Sequence, residues 1–168
     1  MATRNHHLAS LTRYKRWAND LVFSSLSQLS AQDLAAPQPI VFGSLIATLH
    51  HTLAMDEVWQ APLLGESHSY TSRQPPEVIP LDSVRDKQAN LDVWYVDYAD
   101  NQPHHALAEV VKFEFIGGGH GTMTREQILL HVVNHGTYHR GNVTAKLYQY
   151  DVSPPATDYP VFLRDTGQ

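Results

Sequence analysis

Cysteine is absent from all 168 residues. The chain therefore carries no disulfide framework, no thiolate metal ligand and no thiol nucleophile of its own. That absence fits a reducing cytosol, and a cytoplasmic protein is expected. Positive charge is also scarce: Lys and Arg total 12 against 17 Asp and Glu, a formal net charge of −5. Only Arg13, Lys15 and Arg16 gather, too few for the clustered basic face that phosphate binding needs, so no nucleic-acid partner is expected. Long hydrophobic runs are missing as well. Nothing approaches the roughly 18 apolar residues of a membrane span, and the first stretch has no continuous apolar h-region, so neither a membrane partner nor a signal peptide is expected. Apolar content of 42% with 17% charged residues describes a folded chain, and the length predicts one domain over 1–168.

What is plentiful is histidine, with eleven copies. His6 and His7 lie near a terminus and are expected in solvent. His68 falls in a polar stretch, and His104, His105 and His120 lie near turns. The other five, His50, His51, His131, His135 and His139, sit inside helical patterns.

Hydrophobic periodicity predicts four long helices. The first covers 8–30, where Leu8, Leu11, Tyr14, Trp17, Ala18, Leu21, Val22, Leu26 and Leu29 recur near a 3.6 period. The second covers 42–64, with Phe42, Leu45, Ile46, Leu49 and Leu53 as its stripe. Met55, Val58 and Trp59 carry apolar character round that rod, which marks a helix buried between neighbours. Gly65, Pro75, Pro76 and Pro80 make 65–80 a long crossing loop. A third helix is expected over 81–99, capped by Asp82 or Ser83. Val110, Val111, Phe113 and Phe115 read as a strand, and the glycines from Gly117 to Gly121 as a turn returning through Thr122 and Met123. Thr124-Arg125-Glu126-Gln127 has capping-box form and opens a fourth helix reaching to about Tyr150. The tail is expected to be irregular and docked through Tyr159, Val161, Phe162 and Leu163. Together these elements predict an all-α protein, a four-helix bundle with a small β-hairpin before its last helix.

His131, His135 and His139 follow one another at four-residue spacing, so their side chains share one helix face. The outer two are roughly 12 Å apart along the axis at 1.5 Å per residue. Bonds from zinc to imidazole are about 2.0–2.1 Å, so only one adjacent pair, His135/His139 or His131/His135, can close on one ion. A further ligand must come from another helix, and His50 or His51 is the natural donor. Periodicity leans to His51, which shares a face with Ala47, Ala54 and Val58. A site of three neutral imidazoles keeps a position open for water or substrate, and its ligand type suits zinc, nickel, copper or iron.

The chain resembles the DinB-like family of bacterial four-helix-bundle metalloproteins over most of its length. YKRWAND at 14–20 is similar to the family's Tyr-x-x-Trp-Ala-Asn opening. FGSLIATLHHTLAMDEVW at 42–59 is similar to its histidine segment, in which a Trp follows the ligand by eight residues; Trp59 then selects His51. NHGTYHRGNV at 134–143 resembles the Asn-His-x-x-x-His-Arg-Gly motif, and PPATDYPVFLRD at 154–165 resembles the family ending. Asn142 departs from the Gln of many relatives. The resemblance implies His51, His135 and His139 as metal ligands, and a divalent ion, commonly zinc or nickel. It also implies an up-down-down-up bundle with a long crossover between the second and third helices, and a homodimer. Some relatives are thiol-dependent S-transferases or isomerases.

The expected function is therefore metal-dependent transfer of a low-molecular-weight thiol to an electrophile, with a small molecule as substrate. His131, Asn134 and Tyr138 are candidates for orienting ligands or moving protons. One alternative is a hydrolase that activates water on the same triad, with Asp56 or Glu57 as the nearest candidate bases. Another is a non-catalytic, stress-related metal or small-ligand binding protein. Gly141, inside a helix, is expected to mark close helix packing, and Trp17, Trp59 and Trp94 are expected in the core, where one could wall a pocket.

Overall fold

The protein is seen in a computed structural model that describes residues 6–167; the side chain of His6 lies outside the described residues, and His7 is exposed as expected. Four helices of 20 or 21 residues dominate: α1 (His6–Leu26), α3 (Leu45–Leu64), α4 (Leu81–Asn101) and α6 (Arg125–Thr144). Between them lie the short helices α2 (Ala31–Ala35) and α5 (His104–Leu107), and α7 (Tyr159–Thr166) closes the described chain. Helices α1 and α3 each pack against both α4 and α6, so the core fills the space enclosed by the four. Leu26, Leu45, Leu53, Val84, Ile128 and Leu129 are almost fully removed from solvent there. No helix among the described residues is long and apolar enough to cross a membrane.

The capping chemistry sets the boundaries, and several differ from the periodicity alone. The first helix stops at Leu26 instead of near residue 30, because Ser30 leaves it to cap α2 in a reciprocal box with Asp33. The second starts at Leu45 instead of Phe42: Ser44 accepts a hydrogen bond from the Ala47 amide at 3.2 Å. Phe42 is thereby released from the helix and folds over its first turns. Helix α3 is buried on fifteen of its twenty positions, as expected of a rod without a polar face. Neither Asp82 nor Ser83 caps α4; Pro80 occupies that position without a side-chain bond, and Asp82 pairs with Arg85 at 3.1 Å.

Residues 66–80 form the long irregular connection, with no helical turn. Strands β1 (Val110–Glu114) and β2 (His120–Thr124) pair antiparallel as the expected hairpin. Gly121 lies opposite Phe113, whose ring fills the space a Cβ would need. The capping box Thr124/Gln127 opens α6 as expected, but the helix ends at Thr144 and a 3-10 turn covers Leu147–Tyr150. The tail is not irregular throughout: α7 is a helix with a proline in its first turn, a favoured place because the missing N–H has no partner there. Phe162 anchors it, buried against Tyr14 and Trp17 at ring separations of 5.8 and 5.6 Å.

Candidate metal centre

Helix α3 supplies His51 and helix α6 supplies His135 and His139, one turn apart on the face toward α3. His51 and His139 are buried and His135 is half-buried. Their Nε2 atoms converge: 3.3 Å separates His51 from His135, and 3.1 Å separates His139 from His135. All three donor atoms lie within 4.8 Å of one another. Two ligands on a tetrahedral zinc ion with bonds of about 2.0–2.1 Å stand roughly 3.3 Å apart, so the two spacings through His135 match such an ion. This three-histidine group could hold a metal ion. His50 points elsewhere, with Nδ1 buried and unpartnered, and His131 is outside the group.

Protonation suits coordination. Nδ1 of His51 donates to the backbone carbonyl of Arg73 at 2.6 Å, which leaves the Nε2 lone pair facing its neighbours. Burial, then the neighbouring His139, His51, His131 and Lys15 charges, push His135 down to about 3. Burial and the His51 charge push His139 down to about 4. Burial also lowers His51, against the Arg73 hydrogen bond that raises it. At neutral pH all three imidazoles are uncharged, as a metal ligand must be. The Phe42 ring lies flat on His51 at 3.7 Å and fixes its plane.

Above the three imidazoles opens a cavity of about 430 Å³. Met55, Val58 and Trp59 of α3 form one wall, and Phe115 and Ile116 at the hairpin tip another. Val41 and Phe42 come from the turn before α3, and Arg73 from the long connection. Of the three tryptophans, Trp59 is therefore the one at the pocket, edge-on to His131 at 4.8 Å. His131 lines the cavity, lowered by burial and so neutral. Tyr138 lines it too, 59% exposed with its ring against His139. Asn134 is exposed and does not line it.

A second polar cluster lies behind α3 and α6, and it was not foreseen. Lys15 is buried among apolar residues of α1, and its Nζ pairs with Asp56 at 2.7 Å and with Asp92. Gln88 donates to both carboxylates, at 2.8 and 3.0 Å. Asn19 donates to Asp92 at 2.6 Å and accepts from Arg140 at 3.1 Å. Burial pulls the Lys15 ammonium down, but the two carboxylates outweigh it and keep it charged. Part of the signal was present in the sequence: Asp56 and Asp92 are charges set among apolar residues of helical stretches, and a buried charge requires a partner. The close approach expected at Gly141 is at Gly136 instead. A Cβ on Gly136 would meet Arg140 at 3.2 Å and Lys15 at 3.4 Å, whereas Gly141 faces open space.

The fold and site together define a mostly helical protein with a three-histidine group at the floor of an apolar pocket. The chain belongs to the DinB family, whose match spans residues 1–168. It is similar to Protein DinB of Bacillus subtilis (strain 168), at 29% identity over 159 residues, covering 91% of each chain. A crystal structure of a DinB-like protein from Bacillus cereus ATCC 10987 has the same fold, with a TM-score of 0.66 at 16% identity, covering 93% of this chain and 99% of that one.

Proposed function

We propose that this protein is a metal-dependent transferase that joins a low-molecular-weight thiol to a small electrophile. The observation that carries the reading is the convergence of three neutral imidazole nitrogens within 4.8 Å at the floor of an open apolar cavity. His51, His135 and His139 would hold a divalent ion, zinc or nickel, on one side and leave its other side facing the cavity. Such an ion supplies Lewis acidity, lowering the pKa of a coordinated thiol or water. Because the chain has no cysteine, the sulfur nucleophile belongs to a cosubstrate. The apolar walls exclude water from the reacting groups, and neutral His131 at the cavity edge is placed to accept the thiol proton.

The hydrolase alternative loses both bases named for it. Asp56 is paired with Lys15 in the core, and Glu57 accepts a hydrogen bond from Tyr70; neither lines the cavity. A non-catalytic binding role would suit a site closed by a fourth protein ligand, and this group has three members. An up-down-down-up helix order, a homodimer and a cytoplasmic setting complete the reading.

Elemental analysis of tag-free protein, wild type beside His51→Ala and His135→Ala, tests it first. About one equivalent of metal, lost in both variants, followed by metal-dependent consumption of thiol with an electrophile, is the expected result. Protein that takes up neither zinc nor nickel would overturn the site; stoichiometric metal with thiol-independent turnover would favour hydrolysis instead.

A further inference from the structure

The cavity is lined by apolar, aromatic and imidazole side chains, with two charged exceptions at its mouth, Arg73 and Glu114. Among the described residues, Arg13, Arg85, Arg125 and Arg164 each pair with a carboxylate, and Arg140 is bonded to Asn19 and Thr137. Among the described residues Arg73, like the exposed Arg16 on α1, makes no ion pair, not even with Glu114 across the same mouth. Its backbone is nonetheless held in place: its carbonyl accepts the His51 Nδ1 hydrogen at 2.6 Å. An exposed guanidinium on a tethered loop, beside an apolar cavity and without a partner, has five donors in a planar fork that matches a carboxylate, sulfonate or phosphate. The three histidines bring no negative charge that would compete for it.

We infer that the cavity takes a small amphiphilic ligand, an apolar body seated against Met55, Val58, Trp59 and Ile116, bearing one anionic group that Arg73 receives at the mouth. A volume of about 430 Å³ is the scale of a small-molecule site, where a few polar groups fix orientation and apolar walls supply contact. Arg73 is thus a specificity-determining residue, outside the metal ligands and outside the proton path. The inference rests on the pocket being the substrate site of the proposed transferase, and it names the chemical class of what enters.

Two fluorescent probes of nearly equal apolar body separate the charge from the rest: 1-anilinonaphthalene-8-sulfonate, which is anionic, and N-phenyl-1-naphthylamine, which is neutral. Each is titrated into the full-length protein as purified, without thiol or electrophile, for wild type, Arg73→Gln and Arg73→Lys. The indole N–H resonance of Trp59, assigned with Trp59→Phe, reports whether the probe sits in this cavity. The expected result is that both probes move that resonance. Arg73→Gln then weakens the sulfonate probe about tenfold or more, the scale of a hydrogen bond to a charged group, and leaves the neutral probe within about twofold. Arg73→Lys recovers part of the loss. Equal weakening of both probes, no weakening of either, or binding that leaves Trp59 unmoved would overturn the inference. Because no thiol is present, failure of the transferase reading would show as absent turnover with the probe discrimination intact.

Discussion

Helices α3 and α6 carry two polar clusters on opposite sides, and they contrast in every respect that matters. Behind the helices, Lys15, Asp56, Asp92, Gln88, Asn19 and Arg140 are buried, charged and bonded to one another; only Oδ1 of Asp56 lacks a partner. In front, His51, His135 and His139 are neutral, open to a cavity, and bring their Nε2 atoms together at 3.1 and 3.3 Å. A cluster that satisfies itself ties α1, α3, α4 and α6 together. A cluster of convergent imidazole nitrogens beside a cavity could hold a metal ion. Adjacent residues divide the two tasks: His135 faces the cavity while Gly136 lets Lys15 and Arg140 pass beneath it, and His139 is followed directly by Arg140.

That contrast breaks most sharply at Lys15. Lys15→Met leaves two buried carboxylates without their cation and should cost about 3–5 kcal/mol, read by urea denaturation of the metal-free protein. A loss below about 1 kcal/mol would mean that the rear cluster does not hold the bundle. At the front the order of effects reverses. His135→Ala should cost little in the metal-free protein but abolish the gain on adding zinc or nickel. That gain is about 2.7 kcal/mol for wild type at a hundredfold excess over Kd, measurable by thermal melts with and without metal. A wild-type melt unmoved by metal would remove the distinction between the clusters.

Acid sharpens the comparison further. His135 and His139 stand at about 3 and about 4 in the folded protein against an ordinary 6.5. The unfolded chain therefore binds protons first as pH falls. Their contribution is present in full above about 6.5 and is lost progressively toward about 4 and then 3. Denaturation of metal-free protein between pH 7 and 4 should show this loss, and His135→Gln should flatten it. An unchanged slope would show that other groups carry the acid sensitivity. The smallest effect separates two glycines on α6. Gly141→Ala should stabilise by about 1 kcal/mol, because the added methyl meets open space and the helix gains propensity. Gly136→Ala should not gain this, since its methyl presses on Lys15 and Arg140; equal gains at both would contradict the packing.

Much of the site was legible because its information is local. Four-residue spacing puts His135 and His139 on one face whatever surrounds the helix, and Thr124 with Gln127 announces the start of α6 in four letters. The choice of His51 over His50 leaned on the small residues along its face and on Trp59 eight positions later; packing then turned His50 away. Less legible were elements whose signals compete. Ser30 and Ser44 each could end or begin a helix, and the capping bonds decided. The tail reads as irregular because Pro154 and Pro155 precede it, yet Pro160 sits where a helix tolerates it and Phe162 finds a buried seat on Tyr14 and Trp17.

By itself the sequence determined that the chain is mostly helical, that a hairpin precedes the last long helix, and that the chain can offer a metal imidazole but no thiolate of its own. Periodicity, caps and residue chemistry act within a turn or two, so they survive without knowledge of the fold. Only the tertiary structure decided that Phe42 covers His51, that Arg73 reaches the same site from a loop 22 residues away, and that Asp56 belongs to Lys15 instead of to the cavity. Those facts depend on how helices rotate against one another, and a change of one residue step turns a side chain by about 100° from one neighbour to the next.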